Sequence, residues 1–197
     1  MVIQRVKTLV YVVIFSQNTR FIMKLFKGIT LLFALMLSFS VTSQAQYGDT
    51  PDVVDIAIDS DAHTTLVAAV KAADLVSTLK GDGPFTVFAP TNAAFDALPE
   101  GTVASLLKPE NKATLQAVLT YHVVAGNLDS EAVVGAIEAG NGKAEVETVQ
   151  GGILTAYVED GKVYLEDEKG SKAQVTAVDL KGSNGVIHVI DSVVLPE

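Results

Sequence analysis

The apolar residues of this chain change their spacing partway along, and that change limits the folds open to it. Up to Ala139 they recur mostly every three or four residues. Val53, Val54, Ala57 and Ile58 do so within Asp49–Ser60. Leu66, Ala69, Val70 and Ala73 form the next stripe, on a helix that Asp61 is placed to cap. From Asn111 to His122, the residues Leu115, Val118, Leu119 and His122 share one face, which is core. Ser130–Ala139 is a further short helix, closed by Gly140-Asn141-Gly142. Beyond that point the period is two. Ile153–Val158 and Lys162–Leu165 flank Asp160-Gly161, a pair that tolerates positive φ at both turn positions and so predicts a hairpin. Lys169-Gly170 makes a second turn, Ala173–Leu180 a further strand, and Asn184-Gly185 leads into Val186–Leu195. That last run is apolar on both faces, so it belongs inside the sheet system.

One strand precedes this region. Lys80-Gly81-Asp82-Gly83-Pro84 ends the first helices, and Phe85–Ala89 is rich in aromatic and β-branched residues before Pro90 closes it. Thr91 or Asn92 then caps a short helix carrying Phe95 and Leu98, and another begins at Thr102. No internal repeat or interdomain linker interrupts residues 47–197. The reading is one α+β domain.

Charge divides the chain differently. Five of its 14 basic residues (Arg5, Lys7, Arg20, Lys24 and Lys27) precede residue 46, whereas none of its 23 acidic residues do. The remainder carries nine basic side chains against 23 acidic ones, a net charge of −14. From Met23 the sequence has a positive start, an apolar run from Ile29 to Phe39, and small residues in Ser43-Gln44-Ala45. This is the pattern of an export signal, with Met23 as the start and cleavage after Ala45. Residues 1–45 are therefore expected to be an upstream extension plus signal peptide. The apolar run falls short of the ~20 residues that span a bilayer, so no stable membrane insertion is expected after cleavage.

Composition and spacing exclude more chemistry than they suggest. A surface this acidic repels phosphate backbones, so nucleic acid is not an expected partner. The chain has no cysteine, which removes disulfides, thiolate zinc sites, iron–sulfur clusters and cysteine nucleophiles. Its three histidines, His63, His122 and His188, contain no i, i+4 pair; His122 and His188 sit in apolar surroundings and read as hydrogen-bonded core residues. Ser192, His188 and Asp191 form a nucleophilic triad on paper only, because adjacent strand residues point to opposite faces. The acidic runs Glu159-Asp160 and Glu166-Asp167-Glu168 flank predicted turns, where charge solvates the loop. Gly81 and Gly83 precede a strand rather than a helix, unlike a phosphate-binding loop. No catalytic residue, metal site or cofactor is expected.

Three ordered segments carry a more specific signal. Thr86-Val87-Phe88-Ala89-Pro90-Thr91-Asn92-Ala93-Ala94-Phe95, Leu119-Thr120-Tyr121-His122-Val123-Val124 and Ser183-Asn184-Gly185-Val186-Ile187-His188-Val189-Ile190-Asp191 resemble the signature blocks of the fasciclin domain, over about residues 50–196. The resemblance implies a β-rich wedge of two sheets with several helices packed around it. It also implies a non-enzymatic role in adhesion or matrix contact, through a protein or glycan partner. In animal matrix members the tyrosine–histidine segment and an Asp-Ile pair before the last block are implicated in receptor binding. Here these fall on Tyr121 and His122 and on Asp179 and Leu180, with leucine in place of isoleucine.

The signature residues Thr86, Phe88, Pro90, Thr91, Asn92, Phe95, Asn184, Gly185 and His188 are expected to serve folding, as a strand-to-helix junction and a turn before a core strand. The expected protein is a monomeric binding module, secreted or held in the periplasm or on the outer cell surface. A small-ligand carrier with an apolar cavity between the sheets, and an envelope-associated hydrolase using surface carboxylates, are the alternatives.

Overall fold

The computed structural model describes residues 50–197, so the expected signal segment and its cleavage site lie outside the described residues. The first described element, α1 (Val53–Ile58), opens with a reciprocal cap. Asp52 Oδ1 accepts from the N–H groups of Val54 and Asp55, both at 2.9 Å, and the Asp55 carboxylate accepts from Asp52 N–H. The Lys80 ammonium bridges both acids. Val53 and Val54 are thereby turned into the core.

The second helix begins differently from the sequence expectation. Asp61–His63 is a 3₁₀ turn, and α2 runs from Thr64 to Ala72. Asp61 does not cap it. The cap comes from a distant residue: Asn92 Oδ1 accepts from Thr65 N–H at 2.9 Å, while its amide donates to the Asp61 carbonyl at 2.8 Å. A helix entered through a 3₁₀ turn has no extended residue positioned for self-capping, so its free N–H is met from outside. α3 (Val76–Leu79) follows, and α4 (Asn92–Asp96) is capped by Thr91, whose Oγ1 accepts from Ala94 N–H at 3.3 Å. The remaining helices are α5 (Thr102–Leu106), α6 (Lys112–Tyr121) and α7 (Ser130–Ala139).

Among the described residues, seven strands are hydrogen-bonded in the order β2-β1-β7-β6-β5-β4-β3. They are β1 (Phe85–Pro90), β2 (Val123–Ala125), β3 (Lys143–Glu147), β4 (Ile153–Glu159), β5 (Lys162–Glu166), β6 (Lys172–Gly182) and β7 (Gly185–Ile190). β1 and β7 run parallel, with Phe88 opposite His188; every other pairing is antiparallel. β6 is shared between two halves. Lys172, Ala173 and Gln174 pair with β5, whereas Val175–Gly182 pair with β7 through two register shifts. At the second irregularity Asp179 takes φ 60, a bulge conformation that sharpens the bend. The two sheets of the expected wedge therefore meet along one long strand. The free ends also approach each other, since Val149 N–H donates to the Val123 carbonyl at 2.7 Å.

Burial follows from this arrangement. One core cluster, including Val53, Leu66, Val70, Leu115, Leu119 and Ile187, fills the space between the first helices, α6 and one face of β1 and β7. A second, including Phe88, Tyr121, Leu154, Leu165, Ile190 and Val194, lies between the wedge halves beneath α7. β7 supplies residues to both, as its two-sided apolar character predicts. It is shorter than expected, however. It ends at Ile190, and the apolar Val193, Val194 and Leu195 pack without joining a ladder. Among the described residues no helix is long and apolar enough to cross a membrane.

Candidate interaction site

Tyr121 and His122 close α6 and lead straight into β2, which places both under the mouth of the wedge. Neither reaches solvent: Tyr121 is 0% exposed and His122 3%. The Tyr121 hydroxyl donates to the Ile153 carbonyl at 2.8 Å and accepts from Glu168 N–H at 3.3 Å, so one oxygen ties α6 to β4 and to the β5–β6 turn. Burial raises its pKa, and the neighbouring carboxylates of Glu168, Asp167 and Glu197 push the same way.

The His122 ring is equally committed. Nδ1 donates to the Val118 carbonyl at 2.8 Å, and Nε2 accepts from Val194 N–H at 3.3 Å. A carbonyl can only accept and an amide N–H can only donate, so both contacts require the neutral ring with its proton on Nδ1. Burial lowers the pKa to about 4.

Asp167, expected to solvate a loop, is instead 5% exposed. Its Oδ1 accepts from Ser171 N–H at 2.8 Å and Lys169 N–H at 3.0 Å, and its Oδ2 from Leu195 N–H at 3.0 Å. A carboxylate leaves water at little cost when backbone donors replace its hydration in this way. The sequence signal for it is an Asp two residues before a Lys-Gly turn, the position from which a side chain closes an Asx turn.

Asp179 and Leu180 lie elsewhere, on the bulge of β6. Asp179 Oδ1 accepts from Ser130 N–H at 2.8 Å, and its Oδ2 from the Ser130 hydroxyl. Those bonds hold its pKa below the usual carboxylate value. The helix α7 therefore starts from two carboxylates: Asp129 caps Ala132 N–H at 2.9 Å, and Asp179 takes the first N–H from across the sheet. His188 supports Asp179 from beneath. Its Nε2 donates to the Leu128 carbonyl at 2.7 Å and its Nδ1 faces Asp179 N–H at 3.5 Å, while its ring stacks on Phe88 with centroids 5.7 Å apart. On either side of Asp179 the apolar Val178 and Leu180 stand 45% and 38% exposed. Val178 also borders a small apolar dent of about 20 Å³ with Ser130, Val133, Val163 and Val175.

The other signature residues are absorbed by the fold. Thr86 is buried, its hydroxyl donating to the Gly126 carbonyl and accepting from Leu128 N–H, both at 2.8 Å. Pro90 and Phe95 are buried beside the junction that Thr91 and Asn92 cap. Asn184 accepts from Val53 N–H at 3.1 Å and donates to the carbonyls of Leu79 and Gly81, joining α1, α3 and the β6–β7 turn. Gly185 is required sterically, since a Cβ there would stand 2.1 Å from the Phe85 carbonyl oxygen.

The concave features are modest. An apolar cavity of about 40 Å³ lies under α1 and α2, walled by Val54, Leu66, Val70, Leu119, His122 and Ile187. A broad polar groove of about 680 Å³ runs past Lys80, Asp82, Asn127, Lys181 and Asn184, with Asp82 its one carboxylate. Ser192 Oγ donates to Asp191 at 3.1 Å, whereas both His188 nitrogens face other partners, so Ser192, His188 and Asp191 do not form a relay. Among the described residues no three His, Asp or Glu side chains gather as a metal site.

A two-sheet wedge joined along a bulged strand, with helices on its flank and three motif blocks at its junctions, defines a recognisable class. The family model of the fasciclin domain matches residues 61–196, and the chain belongs to that family. It is 51% identical over 157 residues to Protein sll1483 of Synechocystis, covering 80% of each chain. It is 36% identical over 155 residues to the immunogenic protein MPB70 of Mycobacterium bovis, covering 76% of this chain and 72% of that one. A FAS1 domain pair from the insect cell adhesion molecule fasciclin I shares the fold, with a TM-score of 0.52 at 20% identity, over 66% of this chain and 43% of that chain.

Proposed function

We propose that this protein is an exported, monomeric, non-enzymatic adhesion module, which meets a protein or glycan partner at the cell surface or in the surrounding matrix. Export rests on the segment from Met23 to Ala45. The observation that carries the contact surface is the β6 bulge. Val178 and Leu180 stand exposed around an Asp179 that is fixed at both its carboxylate and its backbone. Apolar side chains on a backbone that cannot relax are a preorganised contact, with little ordering cost on binding. Asp179 and Leu180 touch the partner in this reading, and Tyr121 and His122 serve the core of the wedge.

The alternatives fare less well against the geometry. A carrier site of ordinary size encloses roughly 300–1,000 Å³, and the apolar cavity measures about 40 Å³. A hydrolase needs paired acids in a cleft, and the large groove holds a single carboxylate. The test is binding of the purified protein to immobilised envelope or matrix material. Val178→Glu with Leu180→Glu is expected to abolish binding while the melting temperature holds. Undiminished binding by that variant, or substrate turnover that one polar substitution removes without unfolding, would overturn the reading.

A further inference from the structure

The C-terminal segment after β7 is held in an unusual way. Beyond Asp191, whose N–H still donates to the Gln174 carbonyl at 3.1 Å, the chain makes no ladder, yet Val193 and Val194 are buried. Three of its backbone N–H groups are taken by side chains: Val194 by His122 Nε2 at 3.3 Å, Leu195 by Asp167 Oδ2 at 3.0 Å, and Glu197 by Glu168 Oε2 at 3.4 Å. One of those acceptors, the His122 ring, can also carry a proton at the accepting nitrogen. A backbone carbonyl is indifferent to moderate acid, whereas an imidazole acceptor is not.

We propose that residues 192–197 form an acid-released latch, closed while the His122 ring is neutral and opened when that ring takes up a proton. Protonating His122 places a hydrogen on Nε2, directly against the Val194 N–H, so an attractive contact becomes two donors facing each other inside the protein. The groups around His122 are few. The Val118 carbonyl lies on α6, and the ring borders a cavity whose wall is formed by apolar residues of β1, β2 and β7 together with Lys71 of α2. On the other side lies Asp167 of the β5–β6 turn, while Glu168 and Glu197 act on the neighbouring Tyr121 hydroxyl. The Asp167 carboxylate favours the imidazolium and burial opposes it, with burial the larger effect. The closed latch therefore holds the ring neutral until the segment leaves. Release uncovers Tyr121 and His122, giving acidic surroundings a route to residues that are otherwise sealed.

Amide hydrogen exchange of the purified protein between pH 7 and pH 4, corrected for the intrinsic rates, tests this. Because burial lowers the pKa of the closed ring to about 4 from the ordinary imidazole value of 6.5, the opening equilibrium at Val194 and Leu195 is expected to rise about twentyfold between pH 7 and pH 5. The β7 amides should retain their protection over that range. His122→Gln keeps a donor and an acceptor but cannot titrate in this range, and it should flatten the dependence at Val194. If that variant does not fold, the His122 ring signals of the wild-type protein decide, since the released and ring-protonated populations must rise together. Segment protection that tracks β7 at every pH, a dependence unchanged in His122→Gln, or release uncoupled from the ring would each overturn the proposal.

Discussion

Tyr121-His122 and Asp179-Leu180 are the two pairs that the family resemblance marks for partner contact, and they lie in opposite environments. The first is sealed beneath the wedge mouth, with every polar ring atom committed to backbone partners. The second stands on a bulge where one residue is anchored and its apolar neighbours face water. The same kind of motif thus does different physical work according to what the fold packs on it. Substitutions in the sealed pair should register first as lost stability, and those on the bulge as lost binding.

The largest effect is expected at Tyr121. Tyr121→Ala empties a fully buried aromatic site in the second core cluster, which should cost about 3–5 kcal/mol, measured by denaturant unfolding. Tyr121→Phe keeps the ring and deletes only the hydroxyl. It leaves the Ile153 carbonyl and the Glu168 N–H without their partner, for a smaller loss of about 1–3 kcal/mol. If both variants lost adhesion at unchanged stability, the division between the pairs would collapse.

His122 comes next, and its effect is conditional on pH. Its folded pKa of about 4 lies below the ordinary imidazole value of 6.5, so between these values the unfolded chain binds more protons than the folded one. Stability must then fall as pH drops from about 6.5 to 4, and change no further on this account below that range. The shift corresponds to about 3 kcal/mol. Chemical denaturation across that interval should show this slope in the wild-type protein, and His122→Gln should remove most of it.

These contrasts also mark where the sequence stops speaking. The helix Ser130–Ala139 and the Asp160-Gly161 hairpin were legible because each is bounded by residues whose backbone chemistry is specific: Asn141, Asp160 and Gly161 all take positive φ. β3 was not. Lys143, Glu145 and Glu147 face solvent and only Ala144 and Val146 point inward, so its period-two signal is faint. β2 spans three residues and carries no period at all. The overlong final strand has the opposite cause: Val193, Val194 and Leu195 are apolar because they pack in the core, and apolarity alone does not say whether a backbone is paired to a strand or to His122 and Asp167. The site divides the same way. Tyr121, His122, Asp179 and Leu180 could be named from resemblance. That Asn92 caps another helix, or that Ser130 anchors the bulge, depends on contacts 27 and 49 residues apart in the chain.

At Asp179 the two kinds of effect should separate within one residue. Its positive φ favours Asn as a replacement, because Asn tolerates the left-handed region better than other residues with a Cβ. Asp179→Asn retains an acceptor for Ser130 N–H but loses the charge, and about 1 kcal/mol of stability should go with it. The folded pKa is depressed, so the contribution of the native carboxylate is present at neutral pH and is lost as pH falls through the folded value. The difference in unfolding free energy between wild type and Asp179→Asn should therefore narrow in strong acid.

The smallest change in stability, and the one that bears most on function, belongs to the exposed neighbours. Val178→Thr and Leu180→Gln leave every backbone partner of β6 in place and alter side chains that already face water. Unfolding free energies should move by no more than about 0.5 kcal/mol. Binding should weaken even so, because an apolar side chain that is solvated when free gains most when a partner covers it. Titration calorimetry against the immobilised or purified partner would then give a less negative heat-capacity change for the variants than for the wild type, since less apolar surface leaves water on association. An unaltered heat capacity and affinity would move the contact away from the bulge. A loss of stability comparable to that of Tyr121→Phe would show that Val178 and Leu180 belong to the framework, as Tyr121 does.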